Sequence, residues 1–114
     1  MKRDYRLYID DIIEAIQKIK KYSKGLSFEE FSKDHMVIDA TVRNFEIIGE
    51  AVKHISQKVR SKYKNIPWAA MAGMRNKLIH EYFGVNVKVL WKTIEEDLPK
   101  LKPLIKQASV RNKN

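Results

Sequence analysis

Apolar residues recur along almost the whole chain at spacings of three and four, the period of amphipathic helices packed on one core. Tyr5, Tyr8, Ile9, Ile12, Ile13, Ile16 and Ile19 form one wide stripe, which predicts a first helix over about 3–22. Lys18, Lys20 and Lys21 load its last turns, where cations oppose the helix dipole, and Gly25 follows as a break. Ser27 with Glu30 three residues later is a capping-box signature for a short helix ending near Lys33. The longest pattern is Ile38, Val42, Phe45, Ile48, Val52, Ile55 and Val59. It predicts a helix over about 35–60, roughly 39 Å long at about 1.5 Å per residue. Gly49 lies inside it, and an interior glycine costs about 1 kcal/mol against alanine, so another helix is expected to approach closely there.

Pro67, preceded by Ile66, suits the first turn of a fourth helix running to about Tyr82, with Met71, Met74, Leu78 and Ile79 on its apolar side. Gly84 is a natural stop. The last helix begins near Asn86 and carries Leu90, Trp91, Ile94, Leu98, Leu101, Leu104 and Ile105. Pro99 and Pro103 each remove a backbone donor, so a bend is expected near Pro99, with helix continuing past it. No segment alternates as a strand does. The pattern predicts an all-α, up-and-down antiparallel bundle of four long helices plus one short helix. It forms a single domain over 1–108, followed by a basic, frayed tail at 109–114.

A chain of 114 residues has room for one modest core. It is too short for a two-half dinucleotide fold or a barrel, and small enough that a partner subunit often adds burial. The formal charge of +9 is unevenly spread. Residues 1–50 carry 9 basic and 10 acidic side chains, whereas residues 51–114 carry 14 basic and 4 acidic. Such asymmetry suggests a polyanionic partner, nucleic acid or an acidic protein surface; simple solubility is the plain alternative. Without cysteine there are no disulfides, no thiol catalysis and no cysteine-ligated zinc, which fits a reducing, cytoplasmic setting. No apolar run approaches a membrane span, and Asp4, Asp10, Asp11 and Glu14 interrupt the N-terminal segment, so neither a signal peptide nor membrane insertion is expected.

The candidate chemistry lies in Arg75-Asn76-Lys77-Leu78-Ile79-His80-Glu81-Tyr82. On a continuous helix, Arg75 and His80 would sit about 140° apart and roughly 7.5 Å apart along the axis. Asn76 would share a face with His80, where it can orient the imidazole. An arginine fork holds phosphate through two parallel hydrogen bonds, and a histidine near neutral pKa moves a proton. Together they suffice to cleave RNA through its own 2′-hydroxyl. The spacing is weak alone, because a packed histidine, a salt-bridged arginine and a core tyrosine satisfy the same pattern.

In the long helix, Arg43, Asn44, Glu46 and Glu50 stand beside Phe45 and Ile48. Arg43, Glu46 and Glu50 share a face, as an ion-pair ladder or as the lining of a cleft. Lys53 and His54 begin a basic run continued by Lys58, Arg60, Lys62 and Lys64, able to track an RNA backbone. Glu46 and Glu50 lack the Glu-x-x-His partners of a di-metal bundle, and His35, His54 and His80 have no ligand spacing, so neither metal nor cofactor is expected. Trp68 and Trp91 read as core anchors.

Several blocks resemble one family. The R-x4-H-x-Y pattern followed by Phe83-Gly84, the early Tyr8–Ile12 block and the run Arg43–Ala51 are similar to the HepT toxins of the HEPN superfamily. So are Ile66-Pro67-Trp68, Met74-Arg75-Asn76, Val89-Leu90-Trp91 and Asp97-Leu98-Pro99-x-Leu101. The resemblance spans nearly the whole chain. It implies a HEPN-like helical ribonuclease, homodimeric, with two R-x4-H motifs facing across an RNA cleft. Arg75 would hold the scissile phosphate, His80 would act as general acid or base, and Asn76 would assist. It further implies an MntA-like nucleotidyltransferase antitoxin that transfers AMP to Tyr82 and so silences the toxin. A catalytically silent nucleotide- or nucleic-acid-binding module paired with a nucleotidyltransferase and a purely structural helical dimer are the other readings of the residues.

Overall fold

A computed structural model describes residues 3–80 and 84–109, with the backbone alone at Arg75, Ile79 and His80. Helix α1 (Tyr5–Ser23) starts at Asp4, whose carboxylate accepts from the Arg6 backbone N–H and pairs with the Arg6 guanidinium at 2.8 Å. These bonds, that of the Arg6 side chain first, hold the Asp4 carboxyl down at about 2. A depressed carboxyl stabilises the fold fully above its ordinary value of 3.8 and loses that contribution as pH falls through about 2, so this cap persists in mild acid. Helix α2 (Phe28–Lys33) carries the reciprocal Ser27–Glu30 capping box that its sequence predicts. Helix α3 (His35–Lys53) lies along α1, and Ile9, Ile12, Ile16 and Ile19 meet Phe45, Ile48 and Val52 in the core.

The all-α bundle is as the periodicity predicts, but several boundaries differ. The long helix does not reach residue 60. It ends at Lys53, and helix α4 (Gln57–Lys62) restarts after Ser56, whose hydroxyl accepts from the Val59 N–H. Arg60 seals the joint: its guanidinium donates to the carbonyls of Ile55 at 3.0 Å and Val52 at 2.8 Å. Those carbonyls need partners once the helical ladder stops. Arg60 therefore spends its fork on the backbone rather than on a basic track.

The predicted fourth helix is broken twice. Helix α5 (Trp68–Ala72) ends at Gly73, helix α6 (Met74–Leu78) follows, and the chain then becomes extended. Strand β1 (Ile79–His80) pairs antiparallel with β2 (Gly84–Val85), Ile79 opposite Val85 and His80 opposite Gly84. The Asn86 N–H donates to the Leu78 carbonyl, and Gly84 has φ +77°, a conformation that favours glycine. Arg75 and His80 thus do not share a helix, and the helical angles expected between them do not apply. Tyr82 lies outside the described residues.

In the last segment, helix α7 (Val87–Lys92) passes through a π-helical turn (Thr93–Asp97) into helix α8 (Leu98–Lys106). The Leu98 N–H reaches back five residues to the Thr93 carbonyl. This widened turn stands immediately before Pro99, the place where a bend is expected, and lets the helix continue past the proline. Ser109, assigned to the frayed tail by its sequence, is buried and donates to Asp10 at 3.1 Å. Both tryptophans are packed: the Trp68 indole N–H donates to the carbonyls of Tyr63 and Arg60, and Trp91 lies against Phe31.

Candidate active site

Helix α3 has two working faces. Ile38, Thr41, Phe45, Ile48 and Val52 point into the bundle, while Arg43, Glu46, Glu50 and Lys53 follow one another along another side. The corner between α5 and α6 packs across that side. It approaches at Gly49, where a Cβ would lie 3.4 Å from the Ala72 carbonyl oxygen and 3.7 Å from that of Met71. The close approach expected at this glycine is present, and it sets α6 against α3.

A groove of about 390 Å³ results, lined by Arg43, Glu46, Gly49, Glu50, Lys53, Ala72 and Asn76. Four of the polar residues come from α3, and Asn76 comes from α6, next to Arg75 in the chain. The ion pairs along its α3 wall are long: Arg43 to Glu46 and Lys53 to Glu50 are each 3.9 Å. The Arg43 side chain is 71% exposed. Pairs this long and exposed contribute little to stability, and the Arg43 and Lys53 cations stand within reach of an anion in the groove. The ladder and the cleft lining are therefore the same residues.

Asn44 stands elsewhere. It is buried toward α1, its side-chain amide donates to the Ala40 carbonyl at 2.8 Å, and it borders a shallow hollow with Asp11, Glu14 and Lys18. Its register explains this, since Thr41, Asn44, Ile48 and Ala51 form the stripe buried in the bundle. His54, the C-cap residue of α3, sits at the end of the groove wall with Nε2 3.5 Å from a Glu50 oxygen. Its ring stacks on Tyr8 of α1, an aromatic that periodicity marks only as part of the core stripe. His35 is exposed at the start of α3.

Among the described residues, no three His, Asp or Glu side chains converge as a metal site requires, and no helix is long and apolar enough to cross a membrane. Arg75 enters through the backbone of α6, and His80 through its strand pairing with Gly84. The segment that packs on Gly49 and is held by the β-pairing with Gly84–Val85 thus brings Asn76 to the polar groove.

The family described as "Ribonuclease HepT-like" matches residues 12–108. A probable ribonuclease HepT of Thermococcus cleftensis is 49% identical over 102 residues, covering 90% of this chain and 93% of that protein. A putative RNase of Caldanaerobacter subterraneus is 44% identical over 108 residues, covering 95% and 96%. A putative RNase of Methanocaldococcus jannaschii is 42% identical over 101 residues, covering 89% and 93%. No solved structure gives a significant match.

Proposed function

The chain belongs to the HepT-like ribonuclease family, and from that premise we propose that it is a metal-independent endoribonuclease toxin working as a homodimer. The observation that carries this reading is the groove in which Arg43, Glu46, Glu50 and Lys53 of α3 face Asn76, beside Arg75 in the motif element. A two-fold dimer would bring two such elements together, each supplying one Arg75 and one His80. Arg75 would clamp the scissile phosphate with its fork. One His80 would take the proton from the 2′-hydroxyl as its oxygen attacks the adjacent phosphorus. The other would give a proton to the departing 5′-oxygen. Asn76 would orient the imidazole or the phosphate, while Arg43 and Lys53 hold the flanking backbone. We place this activity in the cytoplasm.

The expected products are a 2′,3′-cyclic phosphate and a free 5′-hydroxyl, formed equally well in excess EDTA. End-group analysis of cleaved RNA checks both, and loss of cleavage with chelator would overturn the proposed chemistry. Light scattering at micromolar protein is expected to give a dimer mass. A monomer that still cleaves would remove the second His80 from the mechanism.

Control through Tyr82 extends the proposal. The phenol is a ready AMP acceptor, and each added AMP unit brings phosphate charge close to Arg75 in the chain, where it would repel RNA. Incubation with an MntA-like nucleotidyltransferase, ATP and Mg²⁺ is expected to raise the intact mass by one or more AMP units and to silence cleavage. Tyr82→Phe removes only a hydroxyl, so this variant should cleave RNA and escape both effects. An equal mass gain on Tyr82→Phe would place the acceptor elsewhere. Inhibition without a mass gain would point to steric capping by the partner.

A further inference from the structure

We propose that the stack of Arg3, Tyr8 and His54 at the end of the groove is a base-stacking platform for single-stranded RNA. This inference rests on the ribonuclease reading and adds to it a binding subsite remote in sequence from the R-x4-H motif. The stack joins the start of α1 to the end of α3. The Arg3 guanidinium lies 4.7 Å from the centroid of the Tyr8 ring and is itself held by Asp11 through a 2.7 Å ion pair. The His54 imidazole lies 5.0 Å from the Tyr8 ring, with only 11° between the planes. Tyr8 thus carries both a cation and a stacked imidazole.

His54 is its open end. One face rests on Tyr8, yet 52% of the side chain remains exposed, which leaves ring surface for a further contact. The residue is held at two points: its backbone N–H donates to the Ala51 and Val52 carbonyls, and its ring lies on Tyr8, with Nε2 3.5 Å from a Glu50 oxygen. Glu50 also lines the groove, so the platform begins where the groove ends. Lys53, with its side chain 64% exposed, stands between them as a phosphate contact. A flat ring held in place beside the Lys53 ammonium suits a nucleobase, because every base has a π-face and little ordering of the protein remains to be done. A strand with its scissile phosphate at the motif would then leave the groove along Lys53 and lay a flanking base on His54.

The test uses the full chain carrying His80→Ala, which should bind RNA without cutting it, and short single-stranded RNAs with 2-aminopurine placed at successive positions. Quenching at one position is expected on binding. Adding His54→Ala should abolish that quench and weaken binding roughly tenfold, as expected for loss of one base–aromatic stack. His54→Phe should restore both. The salt dependence of affinity should stay the same in His54→Ala, because no phosphate contact is removed, whereas Lys53→Ala should flatten it. Unchanged quenching and affinity in His54→Ala would overturn the platform and leave the ribonuclease reading standing. Loss of binding in both His54→Ala and His54→Phe, with lowered thermal stability, would reduce the stack to a clamp between α1 and α3. If the parent chain neither binds nor cleaves any RNA, the ribonuclease reading falls first and the platform with it.

Discussion

Replacing His80 with alanine is expected to slow RNA cleavage by about 10²–10⁴-fold, the range for losing a positioned general acid or base. The effect should lie in kcat, because proton transfer occurs at the reacting oxygens and contributes little to holding the strand. In a dimer with one histidine acting as base and the other as acid, every substituted dimer lacks both groups. Arg75 should behave differently. Arg75→Ala removes the phosphate clamp, and Arg75→Lys keeps the charge but loses the planar fork, so lysine should recover only part of the rate. Asn76→Ala, at an exposed position on the groove, should cost least of the three. Single-turnover cleavage of one defined RNA separates these cases. Cleavage by His80→Ala at the parent rate would sink the mechanism while leaving the family assignment intact.

The groove explains why the motif is readable in the sequence although its geometry is not. The residue types sit at fixed intervals, and those intervals survive any change of local conformation. The conformation itself depends on contacts between distant positions. Nothing in residues 75–80 alone announces that the helix stops at Leu78, because the stop is made by pairing Ile79 with Val85 and His80 with Gly84. The end of α3 hides for a different reason. Ile55 is buried and Val59 half-buried, so apolar spacing runs on through the break as though the helix continued. Only Ser56 as a cap and the Arg60 fork on two carbonyls reveal the joint, and an arginine in a basic run carries no mark of that task. Where the determinant is local, the sequence suffices. The Ser27 capping box and the disturbance before Pro99 are each fixed by a few adjacent residues. Gly49 lies between these cases: its cost within a helix signals a close neighbour, but the sequence does not name the Met71 and Ala72 carbonyls. The Tyr8–His54 stack was illegible because a tyrosine on an apolar stripe looks like core, whichever face of it is covered.

The same helix offers a second large effect of the opposite kind. Phe45 is only 1% exposed, in the layer where α3 meets α1. Phe45→Ala should remove about 3–5 kcal/mol, because the transfer energy of the ring is lost and the rigid neighbours cannot fully close the cavity. A domain of this size has about 5–15 kcal/mol in all, so the midpoint of thermal unfolding should fall by on the order of 15 °C. On the groove wall of the same helix, the Glu50 side chain is 66% exposed and its ion pair with Lys53 spans 3.9 Å. Glu50→Gln should leave stability within about 1 kcal/mol of the parent. The two variants make a pair. At a temperature where it is still folded, Phe45→Ala should cleave RNA near the parent rate, since its side chain faces away from the groove. Glu50→Gln should alter cleavage or RNA affinity without moving the unfolding midpoint. Urea unfolding and cleavage measured on the same samples check both. If Phe45→Ala, held folded, lost activity as fully as His80→Ala, the core and groove faces of α3 would not be separable, and the groove would depend on core packing as well as on its own charges.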